Sequence, residues 1–234
     1  MKAARETGRT LKRRVFELLR SPDFQTALEK INTYPARRVI NPLFSYLLSS
    51  DEEIRWRAVT AMGAVVAHLA QQNMESARVI MRRLIWMLND ESGGIGWGVP
   101  EAMGESIASH EGLAREYVRV LISYVNEEGN FLEYEPLQRG AVWAVARVAQ
   151  ARPGLVQEAI PHLIRALDVQ DPAICGLAAW ALGLLRAQAA RPQIQGLLED
   201  NREISFYVDG RLRHGSVSNI AKEALGRMDT GEDS

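Results

Sequence analysis

One cysteine, Cys175, is the whole thiol content of this 234-residue chain. That excludes an internal disulfide framework and a cysteine-rich zinc site. It fits a reducing compartment, and a cytoplasmic location is expected. No run approaches the roughly 20 consecutive apolar residues that cross a bilayer, so no integral membrane contact is expected. The first twenty residues contain no continuous apolar stretch, and no secretory signal is expected there. Excess charge of either sign is also missing. The net charge is −1, whereas a duplex-binding domain carries a clear basic surplus, so nucleic acid is not an expected partner. Apolar residues make up 47% of the chain, enough for a sizeable core.

What is present is a repeat. Five segments align without gaps. They open on Ile54, Ile95, Leu137, Ile174 and Val217. Four residues later stand Ala58, Val99, Ala141, Ala178 and Ala221, and three further on always alanine: Ala61, Ala102, Ala144, Ala181 and Ala224. A larger apolar residue and then Gly or Ala complete each one. This i, i+4, i+7, i+8 stripe is the buried face of a helix, and its small residues let neighbouring helices approach closely. A partner helix precedes each stripe: Ile40, Leu43 and Leu47; Met81, Leu84 and Leu88; Val118, Leu121 and Val125; Ile160, Leu163 and Leu167; and a shorter one with Ile194 and Leu198. The period of about 40 residues suits a two-helix unit. Pro42, Pro100 and Pro161 fall inside these helices and predict kinks or late starts.

The strings Asp51 to Gly63 and Asp171 to Gly183 resemble the HEAT repeat signature, in its short bacterial phycobilin-lyase-type form. The resemblance implies an all-α fold, a right-handed α-α superhelix. Repeats are expected at about 36–72, 73–110, 111–151, 152–188 and 189–228. Residues 1–35 are expected to form N-terminal capping helices, and 229–234 a disordered tail. Residues 1–20 are basic, with Leu11, Val15, Leu18 and Leu19 as an apolar stripe. That segment reads as a cap with a solvated face, or as a contact for an anionic membrane or acidic partner.

The repeats differ in the turn between their two helices. From Leu47 to Gly63, Leu88 to Gly104 and Leu167 to Gly183 is 16 positions. From Val125 to Ala146 is 21, and from Leu198 to Gly226 is 28. Insertions on one edge of a repeat array mark a binding edge. The third-repeat turn carries Phe131 and Tyr134 among glutamates. The fifth reads as a hairpin: Ile204 to Val208, a turn at Asp209-Gly210, then Arg211 to Arg213. It either caps the core or docks a partner through Phe206, Tyr207, Arg211 and Arg213.

Positions between the buried ones on the second helices form a ridge. It holds Trp56, Trp97, Glu101, Arg139, Trp143, Arg147 and Trp180, four of the five tryptophans. The HEAT resemblance places second helices on a concave side, which implies a tryptophan-rich groove. Trp and Arg dominate binding hot spots. Gly96, Gly98, Gly140 and Gly176 flank the row, leaving room for something large. The other reading is that the tryptophans pack on one another.

Catalytic readings are weaker. Deoxyhypusine hydroxylase, a HEAT enzyme, binds iron through repeated His-Glu pairs, and here only His110-Glu111 occurs. His68, His110, His162 and His214 occupy different register positions, so no metal is expected. The glycine-containing turn 89–96 has no lysine and is not a phosphate loop. No cofactor and no catalytic residue is assigned. The expected function is a non-catalytic protein-binding scaffold, adaptor or assembly factor with a protein or peptide partner. The alternatives are a small planar ligand such as a tetrapyrrole, by resemblance to the lyases, and, less favoured, a HEAT-like DNA repair protein.

Overall fold

The computed structural model describes residues 7–89 and 96–230. Lys2, Arg5, most of the 89–96 turn and residues 231–234 of the expected tail lie outside the described residues. The described chain forms twelve α-helices and one two-stranded hairpin, in two compact units, Met1–Ser109 and His110–Ser234.

In the first unit, α1 (Gly8–Leu19) and α2 (Phe24–Asn32) precede two helix pairs, α3 (Ala36–Leu47) with α4 (Glu52–Gln72) and α5 (Met74–Leu88) with α6 (Val99–Ser109). The α1 stripe is buried at Leu11, Val15 and Leu19 and packs on α3. Its C-terminus is tied to α4 by Arg57, whose guanidinium donates to the carbonyls of Leu19 (2.8 Å) and Ser21 (2.9 Å). Local capping sets the starts. Asp23, Asp51 and Asn73 side chains accept backbone N–H bonds at the first turns of α2, α4 and α5. The small residues of α4 and α6 let those helices meet face to face.

Pro100 does delay its helix. The helix was expected from Ile95, but α6 begins at Val99, and Trp97 and Gly98 lie in the turn before it. Gly98 has φ +72°, a conformation that a side chain resists, and a Cβ there would stand 2.8 Å from the Leu47 carbonyl oxygen. Pro161 similarly sits in the first turn of its helix, while Pro42 remains inside α3.

The second unit contains α7 (Glu111–Ser123), α8 (Glu135–Ala151), α9 (Ile160–Ala166), α10 (Pro172–Leu184), α11 (Arg191–Gly196), strands β1 (Glu203–Val208) and β2 (Arg211–Ser216), and α12 (Val217–Asp229). The second helices α8, α10 and α12 form a layer in which α10 packs on both neighbours. α10 and α12 approach closely at Gly183, where a Cβ would lie 2.6 Å from the Ala224 Cα. Gly183→Ala therefore forces two helix backbones apart. The expected loss is about 1–3 kcal/mol despite the better helix propensity of alanine. Urea unfolding reads it, and unchanged stability would refute the close packing.

The hairpin follows from Asp209 (φ 51°) and Gly210 (φ 76°), the left-handed pair that a tight two-residue turn demands. Its register pairs Val208 with Arg211, Phe206 with Arg213 and Ile204 with Gly215. β1 buries Ile204, Phe206 and Val208. Their cross-strand partners on β2 are Arg, Arg and Gly, so β2 presents charge on the same face and is guarded against further strand pairing.

Candidate functional site

Two of the expected groove tryptophans, Trp143 and Trp180, meet the fifth-repeat insertion in the second unit. Trp143 on α8 donates its Nε1–H to the Tyr207 carbonyl on β1, at 2.7 Å. Trp180 on α10 packs against Phe206, ring centroids 5.4 Å apart. Ile204 fills the notch at Gly176, where a Cβ would lie 2.6 Å from its Cδ1. At the turn, Gln150 donates to Asp209 Oδ1, at 3.1 Å. The hairpin thus lies over the second-helix layer, and one β1 carbonyl is bonded to α8.

This corrects the expectation of an outward tryptophan row. Trp143 is 2% exposed and Trp180 5%, because the fifth-repeat insertion folds back over both. Phe206 and Tyr207 are buried for the same reason and do not form an exposed tip. The room at Gly176 is taken by Ile204 of the same chain. Trp56, in α4, is buried as well.

The charged members of the site differ in environment. Arg139 Nε donates to Asp171 Oδ2 at 3.0 Å, and a second guanidinium nitrogen bonds the same oxygen. Asp171 also caps α10, accepting from the N–H of Ala173 and Ile174. Burial opposes its ionisation, but Arg139 and these N–H groups hold its pKa below the ordinary 3.8. Arg147 is half-buried on α8. Arg213 bonds Glu223 at 3.0 Å and lies over the Phe206 ring, and Arg211 is exposed beside the turn. Phe131 is half-buried. Tyr134, the residue before α8, is 49% exposed.

In the first unit, Trp97 is 36% exposed in the turn that leads into α6. Glu101, in the first turn of α6, is buried. Its Oε2 has no hydrogen-bond partner among the described residues. Burial pushes its pKa up to about 7 from the ordinary 4.5, with the Arg55 charge acting the other way.

Sequence reasoning passed over the most exposed large apolar side chain among the described residues. Trp86, near the end of α5, is 64% exposed. The signal was available: Trp86 falls off the Met81, Leu84, Leu88 stripe that faces the core. Leu48, at the end of α3, is also exposed. Leu48, Trp86 and Trp97 all flank intra-repeat turns of the first unit, and Tyr134 ends the inserted one of the second.

The chemistry considered from histidine and cysteine resolves into local structure. His110 Nδ1 accepts the Leu113 N–H and caps α7. His214 bonds Ser205 across the hairpin, and His68 bonds Gln72. Among the described residues no group of three or more His, Cys, Asp or Glu is placed to hold a metal ion. Cys175 is buried, its Sγ–H donates to the Leu167 carbonyl, and burial pushes its pKa up to about 11, so the thiolate is scarce at neutral pH. No helix among the described residues is long and apolar enough to cross a membrane.

Comparison with known proteins agrees with this architecture. Residues 135–185 match the family described as HEAT-like repeat. No curated protein matches the sequence. Solved repeat proteins match almost the whole chain. An engineered protein of the Northeast Structural Genomics Consortium is 17% identical, with TM-score 0.52, over 94% of this chain and 99% of that one. A second engineered protein from the same consortium is 18% identical, with TM-score 0.51, over 94% and 97%. A designed armadillo repeat protein solved in complex with the peptide (KR)4 is 19% identical, with TM-score 0.51, over 93% and 99%. The likeness establishes an armadillo/HEAT-type repeat fold for the chain. With the match at 135–185 it supports the HEAT-repeat family.

Proposed function

We propose that this protein is a non-catalytic scaffold or assembly factor that binds a protein partner along its intra-repeat turns. The observation that carries the reading is the exposure of Trp86, with Trp97 and Leu48 at neighbouring turn ends of the same unit. Large aromatic side chains are costly to leave in water and are the usual anchors of protein interfaces. Tyr134 extends the same pattern to the inserted turn of the second unit, where Phe131 also lies. The designed armadillo relative holds a peptide, which agrees with a peptide or protein ligand for this fold. The inner tryptophans, Trp143 and Trp180, support the hairpin in this reading, and Arg139 and Arg211 supply charged contacts at its margins.

An affinity pull-down from native lysate, read by mass spectrometry, tests this. Wild type is compared with Trp86→Ala, Trp97→Ala. Trp86 is mostly exposed and Trp97 about one third exposed, so the variant is used only after circular dichroism and urea unfolding show that it remains folded. The expected result is one or a few proteins enriched at least tenfold by wild type and lost with the variant. Retention of the same proteins by the variant would refute the role of these turns.

A further inference from the structure

The hairpin is held to the helices along β1 and left open along β2. The tight turn at Asp209-Gly210 makes Val208 and Arg211 the closing pair. From there hydrogen-bonded and non-hydrogen-bonded pairs alternate along the antiparallel ladder. Arg211, Arg213 and Gly215 therefore turn their N–H and C=O groups toward β1, and Leu212 and His214 turn theirs away from it. The other edge obeys the same alternation: Tyr207, paired with Leu212, sends its carbonyl outward to the Trp143 indole. No such partner meets β2. The outward N–H and C=O groups of Leu212 and His214 make no hydrogen bond among the described residues. Arg211, Arg213 and His214 are exposed there, and Leu212 is half-buried.

Four unpaired backbone groups along an exposed strand are what an added strand pairs with. The β2 side chains decide which strand fits. Arg211 and Arg213 project on one face, and Leu212 and His214 on the other. Arg211 has no ion pair among the described residues. Arg213 is steadied by Glu223 beside the Phe206 ring. β2 itself contains no acidic residue. A second copy of β2 paired about Leu212 or Arg213 would set arginine opposite arginine, and like charges directly opposite are destabilising. An apolar strand would offer neither arginine a partner. A strand with an acid at every second residue offers one to both.

We infer that the outer edge of β2 takes up an extended peptide segment in which acidic residues alternate with uncharged ones. The segment runs antiparallel to β2. Its uncharged residues lie opposite His214 and Leu212 and exchange both backbone hydrogen bonds with them. Its acids lie opposite Arg213 and Arg211. The site is separate from the turn edge of the first unit and does not depend on that reading.

The test titrates the full chain with acetyl-Thr-Glu-Ile-Glu-Thr-amide, by calorimetry and by backbone amide chemical shifts. Saturable binding is expected at submillimolar to millimolar concentration, with shifts at the amides of Leu212 and His214. The peptide with Lys in place of both Glu is expected to bind at least tenfold more weakly, and Arg211→Glu should narrow or reverse that preference. Methylation of the Ile amide nitrogen, which faces β2, is expected to weaken binding at least tenfold. Methylation of the second Glu amide nitrogen, which faces solvent, should have little effect. No saturable binding, equal binding of the two charge forms, or equal effects of the two methylations would each overturn the inference, and the last would reduce it to charge attraction without strand pairing. Sedimentation of the free protein checks the other occupant. A dimer that Leu212→Pro abolishes would give the edge to a second copy and overturn the inference. Loss or retention of a partner by Trp86→Ala, Trp97→Ala leaves these outcomes unchanged, so the two readings fail separately.

Discussion

Trp143→Ala is expected to lower the stability of the protein by about 3–5 kcal/mol, the range for truncating a buried tryptophan. The side chain is 2% exposed and its indole N–H links α8 to β1. Truncation opens a cavity beneath the hairpin and strips the Tyr207 carbonyl of this donor. A lone two-stranded hairpin is marginal in water, so the strands depend on that support. Trp143→Phe keeps most of the volume and removes the donor, for an expected loss of about 1–3 kcal/mol. Urea unfolding measures both. Hydrogen exchange should show 203–216 losing protection before the helices do. A loss below about 1 kcal/mol for Trp143→Ala would mean that the hairpin is not anchored there.

Glu101→Gln is expected to act in the opposite direction. The folded carboxyl has its pKa raised to about 7, against an ordinary 4.5, chiefly by burial. Below pH 4.5 the group is protonated in both states and imposes no ionisation penalty. As pH rises from 4.5 to 7, the unfolded chain ionises and the folded one does not, so stability falls across that window. Above pH 7 the accumulated loss is about 3 kcal/mol, at 1.36 kcal/mol per pKa unit. The neutral amide removes it. The variant should be more stable than wild type by up to that amount at pH 8 and nearly equal at pH 4.5. Unfolding curves of the two proteins that stay parallel from pH 4.5 to 8 would contradict the assignment. Retaining a buried carboxyl with an unpaired oxygen four residues from exposed Trp97 agrees with a functional use of this turn.

The helices were legible because their rules are local. Alanine at Ala61, Ala102, Ala144, Ala181 and Ala224 marked the buried face of the second helices, and all five are buried. Asp209-Gly210 fixed the hairpin turn. Where the hairpin would lie was not legible. Periodicity places Trp143 and Trp180 on the ridge between buried positions, but it does not show that a strand 64 residues after Trp143 covers them. The glycine at Gly176 was a correct sign that something occupies the space, and the occupant is Ile204. Glu101 falls on the ridge between stripe positions, which reads as outward. The helix starts later than expected, at Val99, but Val99, Ala102 and Met103 keep their expected buried register, so periodicity alone could not show that the ridge position Glu101 is covered as well. Trp86 is legible as an off-stripe residue of a first helix, outside the second-helix ridge that holds the other four tryptophans.

Hydrogen–deuterium exchange of the full chain, alone and with the partner recovered by wild type, tests the central claim most directly. Partner binding through the turn edge predicts slowed exchange in peptides spanning the α3–α4 and α5–α6 turns and the segment before α8, with 203–216 unchanged. Protection confined to α8, α10 and the hairpin, with the turns unaffected, would contradict it and return the partner to the inner tryptophan face.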